Sequence, residues 1–382
     1  INRLRGYAEG LAPATAEPGA PVVVFDLEAK PLPEIPQPND LTTRLDPSEP
    51  YTGRRVNVSL DAPTEMERNV RRGVSQSNGF GIYSPITVSF TRPLDLADLK
   101  ERHQHNLDFK DDAVFVIDVT PDSPTYLDPV PLDMGRGNFP VTVKDFDMFF
   151  MNDPRGGSTN VLFETIGEDV NGNGMLDLWE DTDFDGVLDM PNVHPEGTDP
   201  VDGLLTFYEK ETDTLILRPV LPLRQETTYA VVLTRHLIGA DGVPVASPFP
   251  YINHSLQNEA LAPLNKALRK IKWGLGLDDV AFAWTFTTQS VTRDLETLRE
   301  GLHGKGSLGW LAPHYPVSAM TLHKISGAGS QPAYVARLGE FIDSLLPIAQ
   351  AAVKDPLAAQ ALLEDLKQID YLVAGRFRTP YF

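Results

Sequence analysis

Tyr229-Ala230-Val231-Val232-Leu233 and Phe282-Ala283-Trp284-Thr285-Phe286 decide the fold class. Both are short runs rich in β-branched and aromatic residues, the composition that suits a pleated, buried strand. Working outward, Ile86-Thr87-Val88-Ser89-Phe90 alternates and puts Ile86, Val88 and Phe90 on one face, and residues 113–119 (AVFVIDV) are of the same kind. Residues 204–208 and 214–217 flank the polar Glu209-Lys210-Glu211-Thr212-Asp213, which predicts a hairpin. Turn clusters such as Asp241-Gly242, and Asp95 with its neighbouring proline, separate the runs. Several short strands with no helices alternating between them favour an antiparallel sandwich over a parallel sheet. The expected class is mainly β.

Around that centre the chain divides by composition. Residues 1–55 predict an extended, proline-rich arm, because Pro31, Pro33, Pro36 and Pro38 remove amide donors and favour polyproline or turn geometry. Such an arm serves either as a linker or as a strap across the next domain. Residues 56–290 predict the sandwich. Within them, residues 255–277 predict a helical insertion, since Leu261, Leu264, Leu268 and Ile271 recur at three- and four-residue spacing. Residues 291–370 turn helical, with stripes at Leu295, Leu298 and Leu302, at Leu338, Phe341, Leu345 and Ile348, and at Leu362, Leu363, Leu366 and Ile369. Residues 371–382 return to strand-like alternation, as the first strand of a following domain would.

The balance of 33 Lys+Arg against 53 Asp+Glu gives the 382-residue chain a net charge of -20, which repels nucleic acid. There is no cysteine, so disulfides, thiolate zinc sites and a thiol nucleophile are excluded. No apolar run approaches the ~20 residues that span a bilayer. Ile1 in place of a starting Met points to processing or trimming.

One motif carries specific chemistry. Asp169-Val170-Asn171-Gly172-Asn173-Gly174-Met175-Leu176-Asp177-Leu178-Trp179-Glu180 matches the EF-hand calcium loop at each diagnostic position. Asp169, Asn171 and Asn173 offer side-chain oxygens, Gly174 permits the sharp turn and Met175 offers its carbonyl. Asp177 would act through water, and Glu180 would bind with both carboxylate oxygens. A second copy follows at a twelve-residue offset through Asp181, Asp183, Asp185, the carbonyl of Val187 and Asp189, with Asn192 a weaker twelfth ligand. The expected calcium insertion covers residues 169–192. No Lys or Arg lies between Glu168 and Asp189, so without a cation the carboxylates repel a compact arrangement. The tandem resembles thrombospondin type 3 or dockerin-type repeats, which implies a structural Ca2+ clamp.

Other signals are weaker. His103-Gln104-His105 reads as a polar loop before a metal site, and His254, His303, His314 and His323 as surface or capping residues. Gly73 to Gly79 reads as a loop, and Trp284 as core. Asn57-Val58-Ser59 and Asn253-His254-Ser255 match the glycosylation triplet. No stretch fits G-x-S-x-G, G-x-G-x-x-G or a phosphate-binding loop.

Three segments together resemble a known family. Pro85 to Asp95 looks like the opening strand of bacterial Ig-like surface modules. Thr214-Leu215-Ile216-Leu217-Arg218-Pro219 with Thr228 to Thr234 looks like their next signature, and Ala283 to Gln289 like their closing strand. Followed by a leucine-striped helix, these are similar to the N-terminal, Ig-like region of bacterial extracellular virulence-factor-type lipases, over roughly residues 31–382. The resemblance implies a non-catalytic portion of an exported lipase- or esterase-like protein, at the cell surface or outside the cell, preceding an α/β-hydrolase domain. It implies no catalytic residue here, because none of the matching motifs is present. The alternative is a stand-alone extracellular module that binds a partner surface protein or its own copies.

Overall fold

A computed structural model describes residues 9–30, 32–104, 109–133, 142–143, 160–161, 168–177, 179–181, 188, 205–325, 332–338 and 369–379. The chain forms two compact units, residues 1–290 and 291–382. Among the described residues helix accounts for about 21% and strand for about 25%, so the sheets are antiparallel as expected but the class is mixed.

In the first unit the strands among the described residues are β1 (Thr43–Leu45), β2 (Arg54–Val56), β3 (Ile86–Ser89), β4 (Val114–Asp118), β5 (Leu132–Asp133), β6 (Thr142–Val143), β7 (Asn160–Val161), β8 (Tyr208–Glu209), β9 (Thr214–Pro219), β10 (Thr228–Thr234) and β11 (Val280–Thr287). β10 is the middle of a three-stranded antiparallel sheet, with β11 on one edge and β4 on the other. A second antiparallel sheet runs β3-β9-β5, with β8 also paired to β9. Glu209 to Asp213 closes the β8–β9 hairpin as its polarity predicts, and Asp213 takes the positive φ of 49° that the turn demands.

Alternation then does the sorting. Val114, Val116, Tyr229, Val231, Leu233, Phe282, Trp284 and Phe286 join Ile86, Val88, Leu215 and Leu217 of the second sheet in one buried cluster. Phe115, Ile117, Ala230, Val232 and Ala283 point the other way, into a second cluster completed by Leu261, Leu264, Ala267 and Leu268. The β4–β10–β11 sheet is therefore covered on both faces, by a sheet on one side and helices on the other. The continuous helix expected over this insertion is broken: a 3-10 turn, Ser255–Gln257, leads to helices Asn258–Leu261 and Leu264–Ile271. Pro263 stands at the break, where it can begin a helix and cannot continue one.

The proline-rich segment is a strap with a hairpin in it. Val23 bridges Phe90 and is itself buried in the first cluster, Gln37 bridges Thr87, and β1 pairs with β2 across the expected boundary near residue 55. The Trp284 indole Nε1–H donates to the Pro38 carbonyl at 2.9 Å. Beside it, Asp40 Oδ2 accepts from Thr287 Oγ1 at 3.0 Å, and Gln257 Nε2 donates to Asn39 Oδ1 at 3.1 Å. Burial pushes the Asp40 carboxyl above its ordinary range, against the pull of Arg54 and the threonine hydroxyls.

The helix Glu65–Val74 runs through the start of the segment read as a loop; Thr64 Oγ1 caps it by accepting the Glu67 N–H at 3.1 Å. In the second unit, helix Arg293–Leu302 carries the first leucine stripe, but Leu295 is 67% exposed. The other two stripes lie almost wholly outside the described residues. Tyr371–Leu372 (β14) and Ala374–Arg376 (β15) pair back onto Ala336–Arg337 (β13) and Thr321–His323 (β12) within this unit.

Trp284→Phe keeps a buried ring but leaves the Pro38 carbonyl without its donor. It is expected to lower the urea-unfolding free energy by about 1–3 kcal/mol and to speed proteolytic clipping of the strap. Unchanged stability and clipping would show that the strap is anchored elsewhere.

Candidate metal centre

The Asp169–Glu180 segment folds as a ring of oxygen-bearing groups. Asp169 accepts the backbone N–H of Asn173 on Oδ1 at 2.9 Å and that of Gly174 on Oδ2 at 3.0 Å. Asn171 Oδ1 accepts the Asn173 N–H at 2.9 Å, and Asn173 Oδ1 the Met175 N–H at 2.7 Å. These one-turn bonds follow from the short side chains of Asp and Asn, which reach their own backbone two to five residues on. Gly172 and Gly174 sit at φ 72° and 70°, where a Cβ would be strained.

The far end of the loop closes back on the start. Glu180 is 1% exposed; its Oε1 accepts from the N–H groups of Val170 and Asn171, at 3.1 and 3.2 Å, and its Oε2 from Asp177 at 3.2 Å. Asp177 Oδ2 accepts from the amide nitrogens of Asn171 and Asn173, at 2.7 and 3.1 Å. Glu168 is buried, and Asp181 Oδ1 is buried with no hydrogen-bond partner. Glu168 and Glu180 are buried beside the half-buried Asp169, Asp177 and Asp181, and holding these carboxylates together is costly unless positive charge compensates them.

Six expected ligand residues, Asp169, Asn171, Asn173, Met175, Asp177 and Glu180, thus lie in one loop. Of the second set only Asp181 is described; Asp183, Asp185, Val187 and Asp189 lie outside the described residues. Among the described residues no three His, Asp or Glu side chains gather as a metal cluster by themselves. A cation here would draw also on the Asn171 and Asn173 amide oxygens and the Met175 carbonyl. This donor set, all oxygen and mostly carboxylate or amide, fits a hard divalent ion.

The remaining sequence candidates are structural. His103 is buried, its Nε2 accepts the Ala113 N–H at 3.2 Å, and Nδ1 lies 3.5 Å from Asp112. Burial pushes its pKa down to about 4, against the opposing charge of Asp111. His254 Nδ1 accepts the Leu256 N–H at 3.2 Å and caps the turn that follows, while its ring stacks on Phe25. Asn253 is buried with Nδ2 donating to His254 and Asn258, so its glycosylation triplet is closed in the folded chain; Asn57 is exposed. Among the described residues no helix is long and apolar enough to cross a membrane. No family model, curated protein or solved structure matches the chain.

His103 has a folded pKa below its unfolded value of 6.5, so its contribution to stability is whole above pH 6.5 and is lost as pH falls towards 4. Unfolding free energy should drop by on the order of 3 kcal/mol over that window from this group, and His103→Gln should remove that share of the slope. Identical slopes in wild type and variant would mean that His103 is protonated in the fold.

Proposed function

We propose that the chain is the non-catalytic, calcium-stabilised N-terminal portion of an exported lipase- or esterase-like protein, acting outside the cell or at its surface. The loop from Asp169 to Glu180 carries this reading: five oxygen-bearing side chains are tied into one loop by hydrogen bonds, in a stretch with no Lys or Arg. Ca2+ would be held by Asp169, Asn171, Asn173, the Met175 carbonyl, Asp177 and Glu180. Its part is to supply the positive charge that lets these carboxylates stay close. Asp181, Asp183, Asp185, the Val187 carbonyl and Asp189 would serve a second ion.

The Ig-like sandwich is supported by the cluster that both antiparallel sheets share. The lipase connection is supported by the family-like segments, which supply β3, β9, β10 and β11, and by the helix Arg293–Leu302 that follows the last of them. The partner would then be an α/β-hydrolase domain carrying the serine chemistry. A stand-alone extracellular binding module is the second reading, favoured by the exposed aromatic cleft described below.

Extracellular calcium at millimolar levels would keep sites of ~10⁻⁴–10⁻³ M affinity filled. At a Kd tenfold below ambient, each site adds about 1.4 kcal/mol to stability. A calcium chelator should therefore lower the thermal midpoint of the wild type, and Glu180→Gln should abolish most of that difference. An unchanged midpoint, with no calcium on elemental analysis, would reduce the segment to an acidic loop. The same preparation should hydrolyse no short-chain aryl ester above a buffer blank. Turnover that persists through repurification, and disappears on mutating one serine of this chain, would overturn the accessory role.

A further inference from the structure

We propose that Trp273 and the cleft beside it form a glycan-binding site, in which a sugar ring lies on the indole and neighbouring side chains take its hydroxyls. Trp273 is 94% exposed, an unusual position for the largest side chain in the chain's repertoire. A single exposed apolar residue needs no partner. This one borders a concavity of about 510 Å3, within the roughly 300–1,000 Å3 typical of small-ligand clefts.

The turn that presents the indole is held at both ends. Helix Leu264–Ile271 is locked by Leu264, Ala267 and Leu268 in the second buried cluster, with Ile271 packed against it. The Lys272 N–H still donates to Leu268 O at 3.0 Å, and Lys272 O accepts the Leu275 N–H at 3.1 Å. Trp273 and Gly274 are the two corners of that turn, and Gly274 adopts the φ of 96° that a side chain would oppose. Leu275 then returns to the buried cluster. The ring is thus displayed from a fixed backbone, which limits the ordering cost of binding.

Beside Leu275 and Leu277, the cleft's other walls carry four polar side chains. Asn265 and Arg269, one helical turn apart, share a flank of the helix. Asp278 and Asp279 stand opposite, in a 3-10 turn fixed by Gly276 N–H to Asp279 Oδ2 at 2.8 Å and by Arg235 N–H to Asp279 O at 2.8 Å. Among the described residues the side chains of Asn265, Arg269 and Asp278 have no hydrogen bond or ion pair. Together they offer donors and acceptors beside an electron-rich aromatic face. A sugar presents the complement: weakly positive C–H groups on one face of the ring and hydroxyls around its edge, each both donor and acceptor.

An anionic lipid surface is the competing occupant, because Lys266, Lys270 and Lys272 lie on or next to the same helix. Lys270 is paired with Asp128, and Lys266 lies over the Tyr126 ring. The carboxylates of Asp278 and Asp279 in the cleft would repel a phosphate.

The test uses the full chain in calcium buffer on an array of neutral and acidic oligosaccharides and, in parallel, on phosphatidylglycerol vesicles, followed by calorimetry with the best-bound sugar. Saturable binding is expected, weakened about tenfold or more by Trp273→Ala and much less by Trp273→Phe. Arg269→Ala should also weaken it. Circular dichroism should be unchanged, since Trp273 contributes almost nothing to the core. No binding to any array member, binding equal in wild type and Trp273→Ala, or binding confined to phosphatidylglycerol vesicles would overturn the assignment. None of these outcomes depends on the calcium loop or on a hydrolase partner.

Discussion

β10 is hydrogen-bonded along both edges and buried on both faces, and the rest of the first unit answers to that one constraint. A strand so placed can expose no backbone group and no side chain to water, so each face needs its own apolar cover. The second sheet supplies one cover through Ile86, Val88, Leu215 and Leu217; the insertion supplies the other through Leu261, Leu264, Ala267 and Leu268. The helical insertion is therefore part of the core, packed on the sheet face that carries Ala230 and Ala283 beside Phe115, Ile117 and Val232.

The polar exceptions on that sheet are matched from far along the chain. Thr285 and Thr287 belong to β11 yet are buried, and they are satisfied by Asp40 and Gln257. Trp284 on the opposite face reaches the Pro38 carbonyl. The strap is thus held to β11 by hydrogen bonds as well as by Val23 in the core. The buried Asp40, its carboxyl pushed above the ordinary range by desolvation, sits at this junction.

Both candidate sites are built from short loops whose ends are fixed. The acidic ring is tied across its mouth by Glu180, and the Trp273 turn by Ile271 and Leu275. They differ in what would complete them. The ring concentrates one sign of charge, which only a cation would offset; the cleft mixes a guanidinium, an amide, two carboxylates and an aromatic face, the mixture proposed to receive a sugar.

What the sequence determined was local. The β8–β9 hairpin, the β10 and β11 runs and the order of oxygen donors from Asp169 to Glu180 all depend on spacings of a few residues, which alternation and turn chemistry make visible. The helix Glu65–Val74 was also within reach, through Thr64 and Glu67 at capping spacing, but Met66, Val70 and Val74 face solvent and so mark no core stripe. Tertiary structure alone decided that the β4–β10–β11 sheet is covered twice, that Pro263 divides the insertion, and that the strap's Asp40 would meet Thr287 across 247 positions. It alone set Asn265 and Arg269 opposite Asp278 beside an outward-facing indole. The physical reason is common to all of these: a period in the sequence says which residues share a face, whereas the partner of that face is chosen by long-range packing.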